Sequence, residues 1–474
     1  MRFDLDKNIL FVLPIVLSIL LIALKDDVWL FMNSLVLALI FYELIIFKYR
    51  SQYGFSGVRI LSMPSIVLLS YTTLIALPAV YIACVNQNPM RYPYFFAILT
   101  FYIFYPIGLL TSNRFFFIKT HNINQFYHST FQKSPVDEYI YELLLILFTF
   151  SLMVFALYLY RTPAVPLIEM ITNPLAYTTL WLLREESMKL LQVTFMEKYL
   201  FAWLRDLFLP FGILGSLFLS VAHKQKRYNY LFILFLILGI VNNSLTVAKA
   251  PTAALFLGIA ALFFLKQQRI SLKFILFFTI LIFTFPYVVY HFVSSPEFRS
   301  PENLLNSMLL RVFVIPAEVL FEYFKIFPTS HEFLLGRSSN LFSWLYSDGL
   351  FNLANYVAKV WWKLPFTTGN ANSVYIGYFW ADFGWIGVIL SSFGVGFFIH
   401  YLFYKLLQLS NYQKNIFYVT FTTATVMAFS FTFVSTNFTS ILLTRGLLLV
   451  LLVILFLKYI VKYIDIDIVS MNDC

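Results

Sequence analysis

The sequence predicts an all-α polytopic membrane protein, and three observations carry that expectation. Of 474 residues, 60% are hydrophobic, against about 45–50% in soluble domains. Only 12% are charged, about half the usual share. The apolar residues also gather in stretches long enough to cross the roughly 30 Å hydrocarbon layer. Phenylalanine, tyrosine and tryptophan supply 20% of the chain, too much apolar surface for a soluble fold to hide with so little charge. Disorder needs the opposite composition. The two cysteines, Cys84 and Cys474, make neither a disulfide scaffold nor a multi-thiolate metal site.

Twelve stretches qualify as transmembrane helices: 8–24, 28–47, 60–84, 93–111, 139–160, 207–222, 228–246, 250–265, 274–292, 384–404, 416–434 and 441–460. With the N-terminus inside, the inner segments hold 18 Lys and Arg residues and the short outer turns only four, Lys25, Arg91, Lys249 and Arg445. Basic residues collect on the cytoplasmic side, so both ends are expected there. The exit of the first span, Ala23-Leu24-Lys25-Asp26-Asp27, lacks a small-x-small cleavage site and reads as an uncleaved anchor. The net charge of +10 is mostly explained by inner loops facing anionic lipid, so no nucleic-acid partner is implied.

The remaining 11 basic residues lie in two long outer segments, 161–206 and 293–370, which also hold 11 of the 23 acidic residues. Connections in compact proteins are usually a few residues long, so these segments are expected to do more than connect. In the first, Asn173-Pro174 reads as an N-cap and first-turn proline. An amphipathic helix at the membrane surface is expected from there to Asp206. In the second, helical patterns near 302–315 and 317–327 are divided by Pro316, and a tryptophan-rich amphipathic stretch follows near 341–363. Val374 to Trp380 is too short to cross and reads as a re-entrant piece before the tenth span. There is no sustained repeat, low-complexity tract or appended soluble domain, so 1–474 reads as a single integral membrane domain.

The chain contains no Walker loop, Gly-x-Gly-x-x-Gly, His-Glu-x-x-His, Cys-x-x-Cys or nucleophile elbow. This argues against ATP-driven transport by this chain alone. The outer loops offer isolated arginines among aromatics: Arg184, Arg299, Arg311 and Arg337. A guanidinium fork binds phosphate oxygens with two parallel bonds, and tyrosine and tryptophan supply stacking faces for sugar rings. The alternative is headgroup contact with salt bridges to Glu302, Glu318 or Glu322. Lys249, in the tight turn after the seventh span, is either functional or snorkelling. His331 lies in a loop three residues after Pro328; a histidine can take a proton from a hydroxyl at neutral pH, or simply cap a helix end. Glu318 and Glu322 sit one helical turn apart as rival bases, or as partners for Lys325 or Arg311.

Several of these features resemble the Wzy-type O-antigen and oligosaccharide repeat-unit polymerases. They are the turn Thr246-Val247-Ala248-Lys249-Ala250-Pro251, Arg311 with Pro316, Tyr323-Phe324 and Phe327-Pro328, Gly369-Asn370-Ala371-Asn372-Ser373, and Ala381-Asp382-Phe383-Gly384-Trp385-Ile386-Gly387. The resemblance covers about 240–390 by motif and the first 200 residues by topology alone. It implies a GT-C-like, metal-independent membrane glycosyltransferase without cofactors, multi-pass in the bacterial inner membrane, with its large loops in the periplasm. The substrate would be an oligosaccharide on undecaprenyl diphosphate, and the usual partner a Wzz-type chain-length regulator. On that basis Arg184, Lys249, Arg299, Arg311 and Arg337 are expected to contact diphosphate or substrate. His331, with Glu318 as alternate, is expected as the acceptor base. Asn370 and Asn372 are expected either to bind sugar hydroxyls or to hold a re-entrant helix end.

Two rivals remain: a lipid-linked oligosaccharide flippase and an O-antigen ligase. A flippase needs charges inside the bundle and only short outer loops. Here the spans are nearly charge-free, with Glu43, Glu142 and Asp382 near predicted ends, which favours an enzyme.

Overall fold

Proline positions shape this fold as much as apolar length does. The computed structural model describes residues 27–46, 62–116, 129–134, 136–162, 165–172, 194–245, 250–267, 272–293, 300–339, 342–365, 369–410 and 414–427, with a few single positions beyond. In chain order the helices are α1 Asp27–Ile46, α2 Met63–Val85 and α3 Arg91–Phe116, then α4 Val136–Arg161 and α5 Pro166–Thr172. Helix α6 runs Phe195–Trp203, Leu204–Phe208 and Leu209–His223 without interruption. Then come α7 Lys226–Leu245, α8 Ala250–Gln267 and α9 Leu272–Val293. Helix α10 runs Pro301–Leu309, Leu310–Val314 and Ile315–Ile326. It is followed by α11 Leu353–Trp362, α12 Tyr375–Leu409 and α13 Ile416–Met427. Among the described residues the β structure is limited to an isolated bridge between Phe131 and Lys414.

Eight described helices, α1, α2, α3, α4, α6, α7, α10 and α12, are long and apolar enough to cross a membrane. The chain is therefore an all-helical protein with the makings of a multi-pass membrane protein. Seven of the eight coincide with expected spans, while α10 falls inside the segment read as the second outer loop. Helices α8, α9 and α13 occupy the positions of three further expected spans. The expected span 8–24 and most of 441–460 lie outside the described residues.

Among the described residues, three helices widen into a π turn, at Thr72–Ala76, Leu204–Phe208 and Leu310–Val314. Each turn stops two residues short of a proline, Pro78, Pro210 or Pro316. A proline inside an α-helix has no N–H, and its ring collides with the carbonyl four residues back. Widening the preceding turn by one residue moves that carbonyl aside. The i→i−5 bonds that result are Leu77 N to Thr72 O, Leu209 N to Leu204 O and Ile315 N to Leu310 O. The break that the sequence places at Pro316 is thus corrected: the helix passes through it. The single amphipathic helix expected over 173–206 is also revised. Residues 173–193 lie outside the description, and Thr194 opens a new helix with a reciprocal capping box to Glu197 that continues into the expected span at 207–222.

The chain divides into two compact units. One comprises Met1–Asn124, Ser307–Tyr404 and Phe429–Ile441; the other comprises Gln125–Asn306, Lys405–Ala428 and Leu442–Cys474. In the first, α1 packs on α2 and α3, and the second half of α10 packs on α2, α3 and α11. Buried tyrosines tie these helices together. Tyr71 donates to the Ile98 carbonyl at 3.0 Å, Tyr105 to Pro64 at 3.1 Å and Tyr94 to Ala317 at 2.9 Å. Helices α3 and α12 cross at two glycines: a Cβ on Gly108 would overlap the Phe393 carbonyl, and one on Gly396 the Tyr105 carbonyl. Small residues permit that backbone approach where lipid supplies no hydrophobic drive between helices.

In the second unit, α6 packs on α4, α7 and α13, and α8 on α9 and α13. One cluster of charges lies where α4 begins, α6 ends and α7 begins. Asp137 Oδ2 meets His223 Nε2 at 2.7 Å, and Arg227 grips both oxygens of Glu138 at 2.6 Å.

Candidate functional site

The candidate site lies in the first unit, in the stretch between α10 and α12. Helix α10 ends at Ile326 and the chain turns through a cis Phe327–Pro328 bond. The Ile326 carbonyl keeps its i+4 amide, accepting from Ser330 N at 2.8 Å, and accepts also from His331 N at 3.1 Å. Trp380 of α12 stacks on Phe324 at 4.3 Å and donates its indole N–H to the Phe327 carbonyl at 2.9 Å. This corner is thereby locked from both helices.

His331, half-buried, stands among three rings: Phe327 at 5.3 Å, Phe351 at 5.5 Å and Tyr356 at 5.3 Å between centroids. Its Nδ1 lies 2.7 Å from the Glu332 carbonyl oxygen. A carbonyl only accepts, so Nδ1 carries the proton in the neutral ring and Nε2 keeps its lone pair. Arg337 approaches the same Phe351 ring, with its guanidinium carbon 5.7 Å from the centroid. Its Nη2 meets Asp348 Oδ2 at 3.1 Å, and its Nε donates to the Gly349 carbonyl at 3.4 Å. A histidine with an acceptor nitrogen and an always-charged arginine thus flank one aromatic ring.

Asp382 holds the turn that carries Arg337. The carboxylate is buried in α12, and Oδ1 accepts from Gly336 N and Ser338 N at 3.2 Å each. Oδ2 accepts from the Ser338 hydroxyl at 2.6 Å. Two backbone bonds reinforce it, Leu334 N to Ala381 O and Leu335 N to Asp382 O, both 2.9 Å. Those carbonyls are available because α12 is broken at Gly384, whose φ of 59° and ψ of −139° are non-helical. Glycine enters that region without steric cost. The break separates a short helical piece from the long span, as the sequence expects for 374–380.

Sequence-predicted residues fall into four groups. Arg184, Lys249 and Arg299 lie outside the described residues. His331 and Arg337 are brought together. Arg311 and Glu318 are not joined to them. Arg311 is exposed in the π turn of α10, and fifteen helical residues to Ile326 place it about 22 Å back along the axis. Glu318 is about 12 Å back on the same measure. Glu322 pairs with Lys325 at 2.6 Å, so the local ion pair belongs to it and not to Glu318. Asn370 and Asn372 are both exposed, and Asn372 accepts from the Tyr378 hydroxyl at 3.4 Å. Their segment is fastened by Ala371 N to Ala354 O at 2.9 Å and by Tyr323 OH to Ala371 O at 2.8 Å.

Sequence reasoning did not single out Phe351, Tyr356 or Ser338. One signal for Asp382 was available: a lone carboxylate in a long apolar run is costly unless several donors meet it. No protein-family model, curated protein or solved structure matches the chain.

Proposed function

We propose that this chain is a polymerase joining undecaprenyl-diphosphate-linked oligosaccharide repeat units at the periplasmic face of the bacterial inner membrane. The observation that carries the reading is the pairing of His331 and Arg337 across Phe351. Glycosyl transfer needs a base at the acceptor hydroxyl and fixed positive charge at the leaving diphosphate. In this reading His331 Nε2 takes the proton of the acceptor hydroxyl as that oxygen bonds to the anomeric carbon. The bond from the anomeric carbon to the diphosphate oxygen breaks, and the departing lipid diphosphate gathers the negative charge. Arg337 faces that charge, with Asp348 exchanged for phosphate. Glu318 remains the alternate base.

Donor and acceptor each carry a lipid diphosphate, so two separated sets of cations suit the reaction. Arg311 is assigned to the second diphosphate, consistent with its distance along α10, and Arg184, Arg299 and Lys249 are further assigned to diphosphate contact. Asn370 and Asn372 are assigned to sugar hydroxyls, since both are exposed. A Wzz-type regulator is the proposed partner, and both termini are placed in the cytoplasm.

The deciding experiment is a lipopolysaccharide gel from a strain lacking this chain. A single repeat unit on lipid A–core, with the long ladder gone, is expected. Lipid A–core bearing no repeat unit would point instead to a ligase or a flippase.

A further inference from the structure

Beside the candidate site, residues 342–350 form a tight loop with an apolar tip. Phe342, Trp344, Leu345 and Leu350 are 43%, 76%, 59% and 50% exposed. Polar anchors hold the loop's base. Tyr346 donates its hydroxyl to the Leu335 carbonyl at 2.6 Å, Asp348 pairs with Arg337, and Gly349 N donates to Tyr346 O at 3.1 Å. Phe342 N and Ser343 N both bond to Ser339 O, at 3.0 and 2.9 Å. Phe342 turns its ring edge to Phe383 at 6.5 Å, and the backbone network holds the other three, Trp344, Leu345 and Leu350, outward.

We propose that this loop is a membrane-interface finger, seated in the headgroup–acyl boundary of the bilayer beside the site, with phospholipid as its occupant. Three observations choose lipid over other partners. First, the loop is tethered between Ile326, the end of a helix long and apolar enough to cross a membrane, and Tyr375, where the short piece leading into the long span of α12 begins, so its reach keeps it near a bilayer surface. Second, a sugar-binding surface alternates aromatic faces with hydrogen-bonding groups, whereas Leu345 and Leu350 offer only hydrocarbon. The loop's exposed polar pair is closed on itself, the Ser347 hydroxyl donating to Asp348 Oδ1 at 3.2 Å while Asp348 Oδ2 holds Arg337. Third, tryptophan at a loop tip with cations behind it matches the chemistry of the interface, where the indole sits at headgroup depth. Arg337 lies at the base of the loop, Lys359 follows on α11, and exposed Lys363 caps the end of that helix. These cations favour an anionic headgroup over a neutral protein surface.

The finger does not depend on the polymerase reading. It would hold the loop at the depth where any lipid-borne phosphate lies.

The test uses the full chain with Cys84→Ser and Cys474→Ser, carrying Trp344→Cys labelled with an environment-sensitive NBD fluorophore. The protein is reconstituted in phosphatidylethanolamine–phosphatidylglycerol vesicles. Glu332→Cys, exposed but outside the loop, is the control. Expected is blue-shifted emission at position 344 relative to 332, with several-fold stronger quenching by shallow doxyl-phospholipid than by aqueous iodide. Water-like emission quenched by iodide would overturn the proposal. So would blue-shifted emission that ignores doxyl-lipid, because that places a second copy or another protein surface over the tip. Leu350→Cys, labelled the same way, supplies an independent reading if the Trp344 variant fails to fold.

Discussion

His331 and Arg337 share one aromatic neighbour, Phe351, at 5.5 Å from the imidazole centroid and 5.7 Å from the guanidinium carbon. The ring is thus the common neighbour of an imidazole and a guanidinium. The chain enforces this arrangement at the backbone as well, since Phe351 N donates to the Arg337 carbonyl at 3.0 Å.

His331→Ala should lower polymerisation rate by about 10²–10⁴-fold, the range for loss of a general base. Membranes supplied with lipid-linked repeat units give the measurement. An unchanged rate would move the base to Glu318.

Arg337→Lys should also fail to support the ladder, with a loss of about tenfold or more, because a lysine ammonium lacks the planar fork. Arg311→Ala should abolish the ladder while expression stays normal. An unaltered ladder for either variant, by gel, would remove that residue from the site.

Asp382→Ala strands two amides and a hydroxyl in a buried place. An unsatisfied buried donor costs about 1–3 kcal/mol, so a clear drop in thermal midpoint is expected in detergent. Asp382→Asn keeps a carbonyl oxygen for the amides and should retain most of both stability and ladder. Because Asp382 acts through the turn bearing Arg337, the double variant Asp382→Ala with Arg337→Ala should polymerise, per folded molecule, no worse than Arg337→Ala alone. Additive losses would mean that the two act separately.

Gly396→Val drives a side chain into the Tyr105 carbonyl and should destabilise the chain by about 2 kcal/mol or more, typical of overpacking. Gly394, two residues earlier, has open space where a Cβ would go, so Gly394→Ala should leave the thermal midpoint unchanged. Equal effects at the two positions would refute the crossing.

Ser330→Cys, exposed beside His331, tests sidedness. The polymerase reading expects it to be labelled by a membrane-impermeant maleimide admitted only to the periplasm. Labelling only after the inner membrane is opened would put His331 on the cytoplasmic face, as a crossing by α10 would allow, and would sink the reading.

Much of the fold was legible because it depends on local sums. Seven of the eight long apolar helices lie where hydropathy expects them, since a crossing requires only enough consecutive apolar residues. Helix α10 departs from that because Glu302, Arg311, Glu318, Glu322 and Lys325 read as loop chemistry, and because Pro316 reads as a break. The π turn at Leu310–Val314 resolves the proline without ending the helix, and residue counting does not reveal that choice. The regular spacing of each π turn from its proline is a signal visible afterwards in Pro78, Pro210 and Pro316.

The site divides along the same line. Residue chemistry nominated His331 and Arg337, a loop histidine and an arginine among aromatics, each beside a bland alternative of helix capping or headgroup contact. It nominated Arg311 and Glu318 on the same grounds, and the helix keeps those two well apart from His331. Phe351, Tyr356 and Asp382 come from segments separated by 20 to 51 residues from His331. Only the path of the chain brings them to it. By itself the sequence determined that the chain is helical and built for a bilayer, because hydrophobic burial is additive along the chain. Which polar groups meet was decided by tertiary structure, because hydrogen bonds and ring contacts depend on position in space: the break at Gly384 frees the carbonyls that pin the loop carrying His331 and Arg337.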